Sequence, residues 1–119
     1  DATMIGSDIL IYRLVYNLVE NAIKYNHPLG QVTVTAYQRN KHVYLSVEDT
    51  GNGIPKELRD RVFEPFFRVD KSRSRELGGV GLGLAFVREI VRVHEGSICI
   101  KSGKTGGTIF EVTFAQHSM

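Results

Sequence analysis

Three polar side chains in the first helical run, Asn17, Asn21 and Lys24, are of types and spacing that could do chemistry. At 3.6 residues per turn they project within about 60° of one another. Apolar residues recur beside them at Ile11, Leu14, Val15, Leu18, Ala22 and Ile23, the pattern of a helix face laid on a core. The polar stripe therefore runs along the edge of that core. A carboxamide oxygen is a hard, neutral ligand for Mg²⁺, and a lysine one turn away can meet phosphate oxygens. Asparagine is a mediocre helix former, so two of them four apart invite a reason. By itself, the stretch equally describes two solvated carboxamides on a surface helix.

A second chemical group stands at the end of a strand. Val32, Val34 and Ala36 alternate with Thr33, Thr35 and Tyr37, which reads as a half-buried strand, and Arg39-Asn40-Lys41 turns the chain back. In the next strand Val43, Leu45 and Val47 share a face, and Asp49 falls in step with them, so its carboxylate points into the covered side of the sheet. Burying a carboxylate is costly unless it finds donors. Thr50-Gly51-Asn52-Gly53-Ile54-Pro55 follows, where two glycines let backbone approach something closely. Such a carboxylate can accept an exocyclic amine, as on adenine. An Asx-type turn within its own loop fits the same residues.

The remaining elements must position these groups. The first helix is expected from Ser7 or Asp8 to about Tyr25, stopped by Asn26-His27-Pro28-Leu29-Gly30. Pro55 starts a short helix with Leu58, Val62 and Phe63 on one side. From Glu64 the periodicity breaks: Arg68, Lys71, Arg73 and Arg75 lead to Gly78-Gly79-Val80-Gly81-Leu82-Gly83. A connection of this length is a lid or a disordered linker. Its cations and glycines suit polyphosphate, and 64–80 is expected to be a lid that orders on nucleotide. A second helix over 84–95 buries Leu84, Val87, Ile90 and Val91, with Gly96 at its C-terminal cap. Strands over 97–101 and 108–114 close the chain around a glycine-containing turn. Helices interleaved with hairpins predict an α/β two-layer sandwich with helices on one sheet face.

The chain has 119 residues, 42% of them hydrophobic, which suits one domain over 1–119 with a modest core. A net charge of +2 is too small to point to nucleic acid. Cys99, the one cysteine, lies in an apolar strand-like run and reads as a buried, inert thiol. No apolar run approaches the ~20 residues of a membrane span, so no direct membrane contact is expected. The chain opens at Asp1-Ala2-Thr3 without an initiator methionine, which reads as a fragment of something longer.

Taken together, the pieces resemble the ATP-binding catalytic domain of two-component sensor histidine kinases, within the Bergerat-fold (GHKL) superfamily that also holds DNA gyrase. The resemblance rests on five motifs in order across nearly the whole chain. They are the N-box Asn17-Leu-Val-Glu-Asn21-Ala-Ile-Lys24-Tyr25, a first glycine box Asp49-Thr-Gly51-Asn-Gly53-Ile54-Pro, and an F-box Phe63-Glu-Pro-Phe-Phe67-Arg68-Val-Asp70. A second glycine box, Gly79-Val80-Gly81-Leu82-Gly83, and a closing Gly106-Gly107-Thr108 complete the set. The resemblance implies a sheet of mixed but mostly antiparallel strands and the cofactors ATP and Mg²⁺. Asn21 would coordinate the metal, with Asn17 beside it or its waters. Lys24 and Arg68 would hold phosphates, Tyr25 would pack near the base, and Asp49 would accept the adenine N6 amine. Gly51, Gly53 and Ile54 would admit the purine, the Gly79–Gly83 amides would cradle the triphosphate, and Thr108 would support Asp49 through its hydroxyl or a water.

Two departures matter. Val80 stands where the family commonly has threonine, and Asn17 stands where gyrase-like relatives carry a general-base glutamate. The latter favours phosphoryl transfer over simple hydrolysis. None of His27, His42, His94 and His117 lies in a Ser-His-Glu-hydrophobic-Arg pattern. The phosphoacceptor is therefore expected on upstream dimerisation helices of a parent protein, a bacterial membrane sensor with this domain in the cytoplasm, serving a response regulator. Residues 1–119 alone are expected not to autophosphorylate. An anti-sigma-factor-type protein-serine kinase and a non-catalytic nucleotide-sensing module are the competing functions.

Overall fold

The computed structural model describes residues 8–65, 67 and 83–115. Two helices, α1 (Asp8–Lys24) and α2 (Gly83–Val93), cover one face of a sheet built from β1 (Val32–Arg39), β2 (His42–Asp49), β3 (Ser97–Ser102) and β4 (Thr108–Ala115). The strand order is β1-β2-β4-β3. Every pairing among the described strands is antiparallel. The expected two-layer sandwich is present.

Period-2 and period-3.6 patterns meet in one core. β4 buries Thr108, Phe110, Val112 and Phe114 and leaves the alternate residues half-buried. β2 buries Val43, Val47 and Asp49 on the same side. Against them α1 sets Leu14, Leu18 and Ala22, spaced by four, and α2 sets Val87, Ile90 and Val91. Phe63 closes one end, its ring edge-on to Phe110 with centroids 6.2 Å apart. Each such aliphatic or aromatic side chain contributes about 1.5–3 kcal/mol by leaving water. The β1–β2 hairpin turns through Asn40 and Lys41, both with positive φ, the two-residue geometry that matches strand twist.

Five expectations are corrected. Ile23, counted with the core face of α1, is 63% exposed, because it projects about 100° round the helix from Ala22. The stretch after Pro55 is not one helix but two 3₁₀ turns, Lys56–Leu58 and Arg61–Phe63. Between them the Arg59 guanidinium reaches out of the path, bonding Ile54 O, Ile100 O and Ser102 Oγ at 3.3, 3.4 and 2.8 Å. β1 alternates in sequence but is exposed after Val32, with even Val34 47% exposed, because it is an edge strand that the helices scarcely cover. Cys99 is exposed rather than buried: Ile98 and Ile100 take the inward parity of β3, which turns the thiol outward beside Glu111. At the end of α2 the left-handed residue is Glu95, at φ 56°, not Gly96. Glu95 N–H bonds Arg92 O and Gly96 N–H bonds Val91 O, a Schellman ending. Gly96 is needed for space, since a Cβ there would stand 2.5 Å from Thr113 O and 2.7 Å from the Phe114 ring.

The histidines occupy ordinary positions. His27 lies exposed in the turn after α1 and His42 opens β2. His94 follows α2, with Nδ1 2.8 Å from Ile90 O and its ring against Phe114. His117 lies outside the described residues. No helix among the described residues is long and apolar enough to cross a membrane.

One substitution made twice tests this core. Leu18 is 0% exposed and Leu29 is 98% exposed. Leu18→Ala is expected to cost about 2–5 kcal/mol through the cavity it leaves. Leu29→Ala should stay within about 0.5 kcal/mol. Urea denaturation of the two variants measures the contrast, and equal losses would contradict the layering.

Candidate functional site

The site starts from α1. Its apolar spacing fixes which way the helix rolls, and the roll leaves Asn17, Asn21 and Lys24 half-buried together along the core's rim. Lys24 Nζ lies 3.9 Å from Glu20 Oε1, and the Tyr16 hydroxyl donates to Glu20 Oε2 at 3.1 Å. Glu20 is thus engaged along the outer side of α1. Gly83, the first residue of α2, comes against the same stripe: a Cβ there would be 3.5 Å from Asn17 Oδ1. The N-terminal end of α2, where backbone N–H groups lack helical acceptors, therefore faces Asn17.

Asp49 sits at the other end of the site, where β2 runs out, and is 6% exposed. Its Oδ1 accepts the Gly51 N–H at 2.9 Å and the Thr108 N–H at 3.2 Å. The direct bond from Thr108 to Asp49 is thus made by its backbone N–H, where the resemblance implied support through the hydroxyl or a water. Burial pushes the Asp49 carboxyl above its ordinary value, while the two amide bonds and the charge of His27 pull it down and neighbouring Glu48 pushes it up. Burial dominates, which marks a carboxylate held where a ligand could complete its solvation.

The glycines around Asp49 are spaces for backbone. A Cβ on Gly51 would stand 2.5 Å from Tyr25 O, one on Gly53 2.6 Å from Gly106 O, and one on Gly107 would overlap the Asp49 carbonyl. Gly53 also has φ +77°, which a side chain would strain. Tyr25, Asp49, Gly51, Gly53 and Thr108 are accordingly drawn together from the exit of α1, the end of β2 with its following loop, and the start of β4. Ile54 follows on the same loop and packs on the core. Arg68, Gly79, Val80, Gly81 and Leu82, and with them most of the expected lid, lie outside the described residues.

Sequence reasoning passed over Asn26, Thr50 and Arg59, which hold this arrangement. Asn26 is 8% exposed, and its side chain bonds Thr50 and Gln31. An asparagine in the turn that ends a helix and a hydroxyl directly after the buried aspartate were the available signals.

No group of three or more His, Cys, Asp or Glu among the described residues could hold a metal ion by itself. The donors on hand are the Asn17 and Asn21 carboxamides. Neutral oxygen donors in that number fit Mg²⁺ shared with phosphate oxygens and water, not a closed protein cage.

The raised carboxyl of Asp49 has a testable sign. A folded-state value above the unfolded one, about 3.9, means the native protein binds the proton more tightly. Stability is then full below the ordinary value and falls as pH rises through the window up to the raised value. Asp49→Asn keeps an oxygen for both amides and removes the charge. The unliganded variant is expected to gain on the parent as pH rises through that window, then run parallel. Urea melts across pH measure it; a constant difference would sink the assignment.

Comparison with known proteins adds to this geometry. Residues 6–118 match the family described as histidine kinase-, DNA gyrase B-, and HSP90-like ATPase. The sensor protein CiaH of Streptococcus pneumoniae is 38% identical over 113 residues, covering 95% of this chain and 26% of CiaH. The chain spans about a quarter of the length of the curated relatives it matches. The solved mycobacterial sensor histidine kinase MprB superposes with a TM-score of 0.85 at 35% identity, over 98% of this chain and 78% of that one. Full-length ShkA, solved in complex with AMPPNP, superposes with a TM-score of 0.81 at 28% identity, over 98% of this chain and 24% of that one. The chain belongs to the histidine kinase-, DNA gyrase B- and HSP90-like ATPase family, and within it stands with the catalytic domains of sensor histidine kinases.

Proposed function

We propose that this chain binds ATP with Mg²⁺ and donates the γ-phosphate to a histidine on a separate helical domain of its parent protein. The observation that carries the reading is the pairing of two half-sites. One is a buried Asp49 whose Oδ1 is taken by two backbone amides. The other is the Asn17–Asn21–Lys24 stripe with the start of α2 against it. With Oδ1 occupied, Oδ2 would accept the adenine N6 amine, and Gly51, Gly53, Ile54 and Tyr25 would border the purine. Asn21, with Asn17 beside it, would hold Mg²⁺ against the phosphates, whose charge the ion neutralises. Lys24 and Arg68 would bind phosphate oxygens, and the Gly79–Gly83 amides would complete the cradle. The Lys24–Glu20 pair is only half-buried and long at 3.9 Å, so phosphate can displace it at little cost.

Base recognition is tested by calorimetry. Loss of a hydrogen bond to a charged group costs roughly 1.5–3 kcal/mol. Asp49→Ala should therefore weaken Mg-ATP binding about tenfold to a hundredfold. GTP should bind poorly, since it presents a carbonyl where adenine presents an amine. Equal affinities for ATP and GTP would remove the adenine assignment.

The transfer itself needs an acceptor in line with the γ-phosphate. The four histidines lack the sequence context of an acceptor, and Asn17 stands in place of a hydrolytic base. Without a second reactant held nearby, the proximity contribution of about 7–11 kcal/mol is missing. Labelled at the γ-position, ATP is expected to leave no phosphate on the chain alone. It should give an acid-labile, base-stable phosphohistidine when the parent's dimerisation helices are added, and a response regulator would receive that phosphate next. An acid-stable phosphate on the chain or on a partner serine would favour a serine kinase instead.

A further inference from the structure

Where the end of β2 meets the exit of α1 lies a closed ring of hydrogen bonds. The Thr50 hydroxyl donates to Asn26 Oδ1 at 3.0 Å and accepts the Gln31 N–H at 2.9 Å. Asn26 Nδ2 donates to Gln31 O at 2.8 Å, which closes the ring, and Asn26 Oδ1 also accepts the His27 N–H at 2.8 Å. The donor pattern fixes every orientation. The Gln31 N–H can only donate, so the Thr50 proton must point at Asn26, and the Asn26 amide must face the Gln31 carbonyl. Gly30 is pressed against the ring: a Cβ there would overlap the Asn26 carboxamide and lie 2.7 Å from Thr50 Oγ1.

The ring's position gives it a consequence. Asn26 stands two residues beyond the end of α1, which carries Asn21 and Lys24, and Thr50 directly follows Asp49. Gln31 precedes Val32, the register partner of Asp49, so the ring prolongs the β1–β2 ladder by one side-chain rung and ties it to the helix. Asp49 itself is anchored separately, by the Gly51 and Thr108 amides. The base half-site can therefore stand without the ring, while the ring adds to the packing of α1 on the core a direct polar tie between the end of β2 and the exit of the helix.

We propose that Asn26 and Thr50 are positioning residues that set the span between the base-binding and phosphate-binding halves of the site. This rests on the ATP reading above. A ligand that engages two half-sites at once gains affinity only if their separation matches its own length and is held. A nucleoside engages one half and is indifferent to the span. The ratio of the two affinities therefore reads positioning, whereas a general loss of packing lowers both together.

The experiment compares Mg-ATP, by calorimetry, with adenosine, by NMR titration, on the 119-residue chain and its variants. Thr50→Val removes the hydroxyl at nearly constant shape, and Gly30→Ala displaces the same two side chains from outside the ring. Both are expected to weaken Mg-ATP binding about fivefold to thirtyfold while adenosine stays within about twofold. Thr50→Ser, which keeps the hydroxyl, is expected to restore most of the ATP affinity. Thermal melts of each variant verify that folded protein is titrated, and either variant alone suffices if the other fails to fold. Parallel losses for both ligands, or unchanged ATP affinity in Thr50→Val, would overturn the positioning role while leaving ATP binding intact. A parent chain that binds neither ligand would overturn the ATP reading itself.

Discussion

A single buried carboxylate organises one end of this fold. Asp49 carries a carboxyl group into the covered side of a sheet, where water solvates it poorly, and such a group survives only with fixed donors. The Gly51 and Thr108 amides supply them, and each demands something of the chain around it. For Gly51 the loop must fold straight back over the end of β2, which brings its backbone under the Tyr25 carbonyl and excludes any side chain at that position. For Thr108 the start of β4 must lie directly beside the end of β2, which leaves no room for a Cβ on Gly107. Gly51 and Gly107 are thus consequences of the carboxylate's needs.

The helix α1 meets a different constraint, since one element must serve both core and site. Its buried residues, Leu14, Leu18 and Ala22, recur every fourth position and lock its rotation against α2 and β2. Rotation locked by packing is what gives the half-buried carboxamides beside that row a defined direction. The cores of proteins resist small displacements because they are close-packed. A ligating side chain one turn from a fully buried leucine therefore inherits its rigidity. α2 extends the same logic, with Val87, Ile90 and Val91 holding its start against Asn17.

Arg59 shows how an irregular segment is held without a core of its own. The two 3₁₀ turns bury only Val62 and Phe63, and the guanidinium clasps two carbonyls and a hydroxyl across the turn and β3. Its five donors in a planar fork suit that work better than a lysine would. The surface ion pairs, by contrast, contribute little. Arg92 with Glu89 and Lys101 with Glu111 are exposed, and such pairs give about 0–1 kcal/mol each.

What the sequence by itself determined were the features carried by short-range periodicity. The three-to-four spacing in α1 and α2, the alternation of β2 and β4 and the turn residues between them are local, and they specify which face of each element is buried. That is why the inward parity of Asp49 and the shared stripe of Asn17, Asn21 and Lys24 were legible without coordinates. Only the tertiary structure decided what depends on neighbours distant in the chain. Alternation in β1 looks the same as in β2, yet β1 is an edge that the helices scarcely cover and stays exposed. Cys99 sits in an apolar run, yet the parity set by Ile98 and Ile100 turns it out. The partners of Arg59 in β3 are more than forty residues away, and so is the Thr108 amide from Asp49. Asn26 and Thr50 are unremarkable as residue types. Their ring forms because the sheet brings the end of β2 beside the exit of α1, and no spacing along the chain records that meeting.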